Sequence, residues 1–285
     1  MIDEIMPNLD ELEQKSVYVI REVLQRFKKP AILWSIGKDS TTMLALCKAA
    51  FFGKIPFPVV HIDTGFKFKE IYEFRKKLAE EWGLNLIVGG NEEATALPEN
   101  GTFECCMERK TNALQKLVEE HGFDALLVGI RRDEHGIRGK ERYFSPRDKE
   151  FKWNYVAEKK SVGGDSPFVS LQDPEFSGWN IFSTDFGKEA DHVRVHPILD
   201  WTEQDVWEYV KAKDLPVVDL YFSKNGKRFR SIGCECCCAT VDSNATDVDS
   251  VIEELKVTNV PERAGRKQDN DKDYSFQKLR TLGYM

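Results

Sequence analysis

The stretch Pro30-Ala31-Ile32-Leu33-Trp34-Ser35-Ile36-Gly37-Lys38-Asp39-Ser40 joins two segments of different periodicity. Residues 30–34 form a short apolar run that predicts a buried strand, and the apolar residues of 42–47 recur at helical spacing. A strand followed at once by a helix is the repeating unit of α/β proteins. The stretch therefore predicts an α/β fold with the turn 35–40 at the carboxyl end of a strand.

The turn contains the residues of a phosphate cradle. Gly37 lets the backbone approach a ligand, Ser35 and Ser40 offer hydroxyl groups, and the first N–H groups of the next helix point to the same place. Lys38 adds positive charge, and Asp39 is suited to the metal side of the site. Because the spacing is not that of a P-loop, an ordinary capped turn is the alternative. We expect ATP to bind here with Mg²⁺.

Strand and helix candidates alternate along much of the chain. Strands are predicted at 31–36, 57–63, 84–88, 124–130 and 193–198. Helices are predicted at 9–28, 39–52, 67–82, 107–121 and 247–256, with a further helix start at Asp200–Asp205. This order predicts a doubly wound, mostly parallel, Rossmann-like sheet with helices on both faces.

Polar clusters follow three of these strands, at the edge where such sheets bind ligands. Besides the turn 35–40, the clusters are 63–65 and 129–134. Asp63 is suited equally to a ribose hydroxyl or metal-bound water and to capping the next helix. We expect Asp63 and Gly129 to belong to the nucleotide site.

Arg131 and Arg132 end one strand candidate, where two guanidinium groups can clamp phosphate or sulfate oxygens. Attack of an oxyanion on the α-phosphorus of ATP, with pyrophosphate leaving, requires positioning and charge neutralisation more than a general base. We therefore expect an ATP-dependent adenylyltransferase with Lys38, Arg131 and Arg132 as its catalytic residues.

The chain divides into a catalytic domain at 1–215 and a C-terminal segment at 216–285. Residues 133–192 are rich in charge, glycine and aromatic residues without clear periodicity, which predicts a long loop or lid within the catalytic domain. The C-terminal segment carries a cysteine-rich run and a polar tail.

Composition narrows the function classes. With 48 acidic and 41 basic residues the net charge is −7, which argues against binding duplex nucleic acid through charge alone. No apolar run approaches about 18 residues, and the N-terminus lacks the order of a signal peptide. We expect a cytoplasmic protein without membrane contact, and self-association stays open.

Six of the seven cysteines are clustered. Cys105 and Cys106 are adjacent, and the other four lie at 234 and 236–238. In a chain without an export signal, such cysteines are more often metal-bound, catalytic or reduced than disulfide-paired. A thiol pair and a Cys-x-x-Cys spacing suit an iron–sulfur cluster, and adjacent cysteines make zinc less suitable.

Several motifs resemble those of the small subunits of bacterial sulfate adenylyltransferase, in the phosphoadenylylsulfate reductase branch of the adenine nucleotide alpha-hydrolase superfamily. They are Ser35–Ser40, His61–Gly65, Gly129–Glu134, Lys140–Ser145, Val195–Pro197, Asp200–Asp205, Arg228–Cys234 and Glu262–Arg266. One departure is Ile36, where most members have a second glycine.

The resemblance implies transfer of AMP from ATP to sulfate, which gives adenosine 5′-phosphosulfate and pyrophosphate. It also implies pyrophosphate binding by Ser35, Gly37, Lys38, Asp39 and Ser40. Arg131 and Arg132 would lie near the sulfonucleotide. In that family a GTPase large subunit drives the uphill adenylation, and since this chain has no GTPase motif, a separate large subunit is expected.

The cysteines resemble those of assimilatory adenylylsulfate reductases, which hold a [4Fe–4S] cluster. The matching positions are Cys105, Cys106, Cys234 and Cys237. Zinc or free thiols are the alternatives, and Cys236 and Cys238 are extra. A reductase would carry a nucleophilic cysteine near its C-terminus, whereas this chain ends Leu282-Gly283-Tyr284-Met285.

Two other functions fit parts of the sequence. ATP pyrophosphatase components of DNA phosphorothioation systems are similar and carry such cysteines, which implies a cysteine desulfurase and DNA-modification proteins as partners. The run 233–238 favours this hypothesis because a persulfide carrier needs a spare thiolate. A non-catalytic module that senses nucleotides or redox state is the second alternative.

Overall fold

The computed structural model describes residues 9–98, 102–135, 138–139, 141–152, 190–264 and 266. Within these residues, a central sheet has the strand order β3-β2-β1-β4-β6-β5. Its strands are β1 (Pro30–Leu33), β2 (Val59–Ile62), β3 (Leu86–Gly89), β4 (Ala125–Val128), β5 (Phe144–Arg147) and β6 (His192–Val195). A small antiparallel pair is formed by β7 (Lys227–Arg228) and β8 (Val241–Asp242).

The central sheet is parallel except at one edge. β1 pairs in parallel with both β2 and β4, β6 pairs in parallel with β4, and β5 pairs antiparallel with β6. β2 and β3 lie on one side of β1, and β4, β6 and β5 lie on the other side. This arrangement leaves a crevice at the carboxyl ends of β1 and β4. The predicted doubly wound α/β fold is confirmed.

The helices pack with apolar stripes against the sheet and against each other. In α1, Leu12, Val19, Ile20 and Val23 are buried, a spacing that puts them on one face. The helices are α1 (Leu9–Arg26), α2 (Lys38–Ala50), α3 (Lys69–Glu81), α4 (Thr102–Cys106), α5 (Ala113–His121), α6 (Glu203–Ala212) and α7 (Val248–Val257). No helix in the described part of the chain is both long and apolar enough to cross a bilayer.

The helix start predicted at Asp200–Asp205 is confirmed by its cap. Thr202 Oγ1 accepts the Asp205 N–H at 3.1 Å, and Asp205 Oδ2 accepts the Thr202 N–H at 2.7 Å. Trp201 precedes the cap and is buried. These local bonds satisfy two of the open N–H groups at the start of α6.

Two predicted segments differ from the structure. The loop expected at 133–192 contains β5, whose Pro146 is tolerated because the strand lies at the sheet edge. Residues 153–189 of that loop lie outside the described residues. The helix expected at 107–121 begins at Thr102 and passes through a π-helical turn at Met107–Asn112 before α5. Such turns are common at functional sites.

Candidate active site

A cavity of about 150 Å³ lies at the carboxyl ends of β1, β2 and β4. Most of the predicted nucleotide-binding residues line it: Ser35, Gly37, Lys38, Asp39, Ser40 and Gly129. Basic side chains line it as well, namely Lys67, Lys110, Arg138, Arg263 and Arg266. The cavity therefore combines the predicted phosphate turn with a concentration of positive charge, in the crevice where this topology binds ligands.

Hydrogen bonds between its own residues stabilise the turn 35–40. The hydroxyl oxygens of Ser35 and Ser40 are 3.0 Å apart, and the Ser40 hydroxyl donates to the Gly37 carbonyl at 3.1 Å. α2 begins within this stretch, at Lys38. The positive end of the helix dipole thus lies at the cavity, as the sequence predicted for an anion site.

Gly129 is required by a close approach of two backbones. A Cβ atom built at this position would lie 3.0 Å from Ser40 Cα and 3.1 Å from the Asp39 carbonyl oxygen. Backbone atoms at a helix start have little freedom to move away. A larger residue at position 129 would push the start of α2 away from the end of β4 by a few tenths of an ångström.

Ile36 has an unusual backbone conformation. Its φ is +69°, in the left-handed region that β-branched residues avoid, and its side chain is buried. This is the position where most relatives were expected to have glycine. The turn keeps the glycine-type conformation with an isoleucine, at a cost of about 1–2 kcal/mol.

The ammonium group of Lys38 is buried and fully engaged within the protein. Nζ donates to a carboxylate oxygen of Glu262, to Asp39 Oδ2 at 3.3 Å and to the Arg230 carbonyl at 3.4 Å. The backbone N–H of Lys38 donates to the Tyr221 hydroxyl at 2.9 Å. Lys38 is thus bonded to the C-terminal segment, which the sequence did not predict.

Arg131 is wholly buried and does not line the cavity. Its guanidinium donates to Glu262 Oε2 at 2.5 Å and to Asp133 Oδ1 at 2.9 Å, and pairs with Asp39. Burial alone would raise the pKa of Glu262, but Arg131 and Lys38 outweigh it and hold that pKa well below its usual range. In this conformation Arg131 anchors carboxylates instead of clamping an oxyanion.

Arg132 and Asp63 also lie outside the cavity lining. Arg132 pairs with Asp200 and donates to the Glu141 carbonyl at 3.1 Å. Asp63 accepts the Gly65 N–H and the Tyr72 hydroxyl, each at 2.9 Å, and pairs with Arg75. Asp63 does not cap α3, whose N-cap is Phe68, but it bonds to Tyr72 and Arg75 within that helix.

The cavity is also lined by three cations for which the sequence predicts no role in the site. Lys67, Lys110 and Arg266 reach it from different parts of the chain. The pKa of Lys67 is lowered by burial and by the charges of Lys110 and Arg266, although Cys234 and Cys238 oppose this. The polar partners of Arg266 include the Ile232 carbonyl at 2.7 Å and the Ser231 hydroxyl at 3.1 Å, both neutral.

Cys234 lies beside these cations, bridged to Lys67 in an antiparallel pair and 3.2 Å from the Thr64 hydroxyl. Burial opposes ionisation of its thiol, but Lys110, Lys67, Thr64 and Arg266 outweigh burial and lower its pKa to about 7. We call the cavity-lining cations Lys67, Lys110 and Arg266, together with Cys234 beside them, the cysteine wall. The turn 35–40, together with Arg131 and Glu262, which support it from outside the cavity lining, is called the loop wall.

The four cysteines predicted as ligands are neighbours. The pKa of Cys105 is raised to about 11 by burial and then by Cys106, Cys234 and Cys237. The Sγ atoms of Cys236 and Cys237 are 3.7 Å apart. Among the described residues, however, no group of three or more Cys, His, Asp or Glu side chains has the arrangement of a metal site.

The apolar neighbours of His61 and His196 in the sequence predict that both are core histidines, and both are buried. Their Nδ1 atoms lie 2.9 Å from the Trp34 carbonyl and 2.6 Å from the Arg142 carbonyl, respectively. Burial is the main cause that lowers each pKa to about 4. Both rings are therefore neutral near pH 7, and the core prediction is confirmed.

Comparison with known proteins identifies the family of the chain. Residues 29–240 match the phosphoadenosine phosphosulfate reductase domain family. Sulfate adenylyltransferase subunit 2 of Pseudomonas aeruginosa is 36% identical, and that of Saccharophagus degradans is 37% identical, with each alignment covering the whole of both chains. The chain belongs to the sulfate adenylyltransferase subunit 2 family.

Solved structures show the same fold at lower sequence similarity. Phosphoadenylyl-sulfate reductase from Candida auris matches with a TM-score of 0.53 and 16% identity, covering 83% of this chain and 99% of that one. FMN adenylyltransferase from Candida glabrata matches with a TM-score of 0.55 and 15% identity, covering 99% and 87%.

For this member of the sulfate adenylyltransferase subunit 2 family, the motifs located the turn but not the opposite wall. Glu262 and Arg266 were visible as part of a tail motif, without a role. Tyr221 and Lys67 gave no local signal, because each reaches the site through contacts with residues distant in sequence.

Proposed function

We propose that this chain is the adenylyltransferase that joins the AMP part of ATP to sulfate, giving adenosine 5′-phosphosulfate and pyrophosphate. The observation that carries the proposal is one cavity lined both by the turn at the start of α2 and by Lys67, Lys110 and Arg266, in a chain related over its full length to sulfate adenylyltransferase subunit 2. The turn suits the phosphates of ATP, and the cysteine wall suits a second, small oxyanion.

On the loop wall, Ser35, Gly37 and Ser40 would hold the leaving pyrophosphate through hydroxyl and backbone N–H groups at the start of α2. These groups fix the phosphate chain so that the α-phosphorus faces the opposite wall. Asp39 is already bonded to Lys38 and Arg131, which makes it a poor ligand for Mg²⁺. The ion would instead arrive bound to the phosphates, as it commonly does.

On the cysteine wall, Lys67, Lys110 and Arg266 would bind sulfate. Sulfate is already an anion, so its attack requires no general base, but two negatively charged reactants must be brought together. Three neighbouring cations lower that repulsion. In this mechanism Arg131 positions the loop wall, Lys38 contacts both that wall and the leaving pyrophosphate, and Arg132 fixes the chain that follows β4.

The chain would act with a partner. The relatives are called subunit 2, which implies another subunit. Because adenylation of sulfate is uphill, and because this chain has no GTPase motif, the partner proposed is a GTPase large subunit that supplies the driving force.

We also propose a [4Fe–4S] cluster on Cys105, Cys106, Cys234 and Cys237. The mutual influence of these thiols on their pKa values supports their proximity. Their donor chemistry fits a cluster, although the described side chains do not have ligand spacing, so they would have to turn inward. Iron and sulfide analysis of anaerobically purified protein tests this, with Cys106→Ser expected to lose the metal and Cys47→Ser expected to keep it.

Pyrophosphate release from ATP tests the main function. The proposal expects release that depends on sulfate and that is lost in Ser40→Ala. Release that depends on DNA instead would support the phosphorothioation alternative. Binding of ATP without release under any condition, with the partner subunit present, would support a sensing module and contradict the proposal.

A further inference from the structure

Lys38 has no hydrogen-bond donor left for a phosphate oxygen. An ammonium group has three N–H donors, and here the acceptors are Glu262, Asp39 and the Arg230 carbonyl. The backbone N–H, which belongs to the start of α2, is taken by the Tyr221 hydroxyl. A phosphate that binds Lys38 must therefore replace a protein acceptor.

The cations around Lys38 are compensated by carboxylates without a ligand. The cations are Lys38, Arg131 and Arg230, and the carboxylates in contact with them are Glu262, Asp39, Glu203 and the more exposed Asp133. Glu262 is central because its two oxygens bond to Lys38 and Arg131. Neutralising this one side chain would remove a negative charge beside the phosphate turn and leave Lys38 without its nearest carboxylate.

We infer that Glu262 is an internal competitor of pyrophosphate for Lys38. This rests on the proposed function, in which pyrophosphate leaves from the turn. The product takes the place of the Glu262 carboxylate on Lys38, while Glu262 keeps its second contact with Arg131. When Glu262 returns to Lys38, pyrophosphate is released.

Such a competitor would speed the release of pyrophosphate. Product release limits the rate of many enzymes, and a highly charged product held by a buried ammonium and a helix start would leave slowly. A carboxylate that remains tethered beside the same ammonium has a high local concentration and returns without diffusion. Tyr221 would act in the same way on the backbone N–H, with a neutral oxygen and a smaller effect.

Titration with inorganic pyrophosphate, measured by calorimetry, tests the inference without requiring catalysis. Glu262→Gln should bind pyrophosphate about tenfold more tightly, as expected for one freed charge-assisted hydrogen bond. Tyr221→Phe should bind about twofold more tightly. The matched control is Glu254→Gln, since Glu254 pairs with Arg228 at 2.6 Å outside the cavity, and its affinity should equal that of the wild type.

A gain of affinity distinguishes competition from damage to the fold, because damage weakens binding. If Glu262→Gln is folded and binds pyrophosphate no more tightly than the wild type, the inference is overturned. Should that variant not fold, Glu262→Asp replaces it, since its shorter side chain withdraws from Lys38; the same tightening is expected, and unchanged affinity overturns the inference. Wild-type protein that binds no pyrophosphate would refute the proposed function itself.

Discussion

The loop wall and the cysteine wall belong to the same cavity, but they differ in whether their cations are paired with carboxylates. On the loop wall, Lys38 and Arg131 are bonded to carboxylates from distant parts of the chain. On the cysteine wall, Lys67 has a lowered pKa because it is buried near Lys110 and Arg266. The cations of the loop wall are paired with carboxylates without a ligand, whereas we expect an added anion to stabilise the cysteine wall.

This difference distinguishes cations that stabilise the fold from cations that we expect to bind the substrate. A cation that is paired with buried carboxylates contributes to folding, and its removal leaves those carboxylates uncompensated. A cation that is crowded by other cations costs stability and is retained for binding. Removing a cation from the loop wall should therefore lower the free energy of unfolding, whereas removing one from the cysteine wall should lower kcat/KM for sulfate.

The largest effect is expected for Lys38→Met. This change removes one of the two cations bonded to Glu262, and loss of one partner in a buried ion pair costs about 3–5 kcal/mol. Chemical denaturation should show that loss in the free energy of unfolding. Lys69→Met is the control, because Lys69 is exposed and its pairing with Glu73 at 3.2 Å is worth less than about 1 kcal/mol.

The contact between Lys38 and Glu262 also predicts that the free energy of unfolding depends on pH. The pKa of Glu262 is held below its ordinary value of 4.5, so its ionised form stabilises the fold above that pH and the contribution fades as the pH falls. The difference in unfolding free energy between wild type and Glu262→Gln should be full at about pH 7 and smaller at about pH 3. A difference independent of pH would contradict the assignment of Glu262 as a buried anion.

The stability effect of Lys38 could not be predicted from its motif. The motif is local, and strand β1, the turn and α2 follow from residues within one short stretch. The partners of Lys38 are Tyr221 and Glu262, which lie 183 and 224 positions away in the sequence. From the turn alone, a phosphate contact was the natural role for its ammonium group.

Lys67 shows the same limit on the cysteine wall. In the sequence it reads as a polar residue of the helix predicted at 67–82, but α3 begins at Lys69. Lys67 instead pairs with Cys234, and that bridge turns its side chain toward the cavity. By contrast, the Thr202 cap of α6 was predictable because all its bonds join residues three apart.

The third prediction concerns Lys67→Met, which should lose activity with sulfate but keep its stability, in contrast to the loss of stability expected for Lys38→Met. One charge-assisted contact with sulfate is worth about 1.5–3 kcal/mol, so kcat/KM for sulfate should fall about 10- to 100-fold. Removal of one member of a crowded cation group should leave stability equal or higher. Lys69→Met again serves as the control, and a Lys67 variant that is less stable but kinetically normal would refute the comparison.

The smallest expected effect tests how the loop wall keeps its shape. If Ile36 is held in a strained left-handed conformation, Ile36→Gly should be more stable than Ile36→Ala by about 1 kcal/mol, although both lose the same buried side chain apart from one methyl group. Ile32 in β1 is equally buried but has ordinary strand geometry, so there glycine should be the less stable replacement, by about 0.5–1 kcal/mol. Thermal unfolding of the four variants gives both differences. The same order at both positions would mean that the turn relaxes when Ile36 is removed, and that the loop wall is not preformed by its backbone.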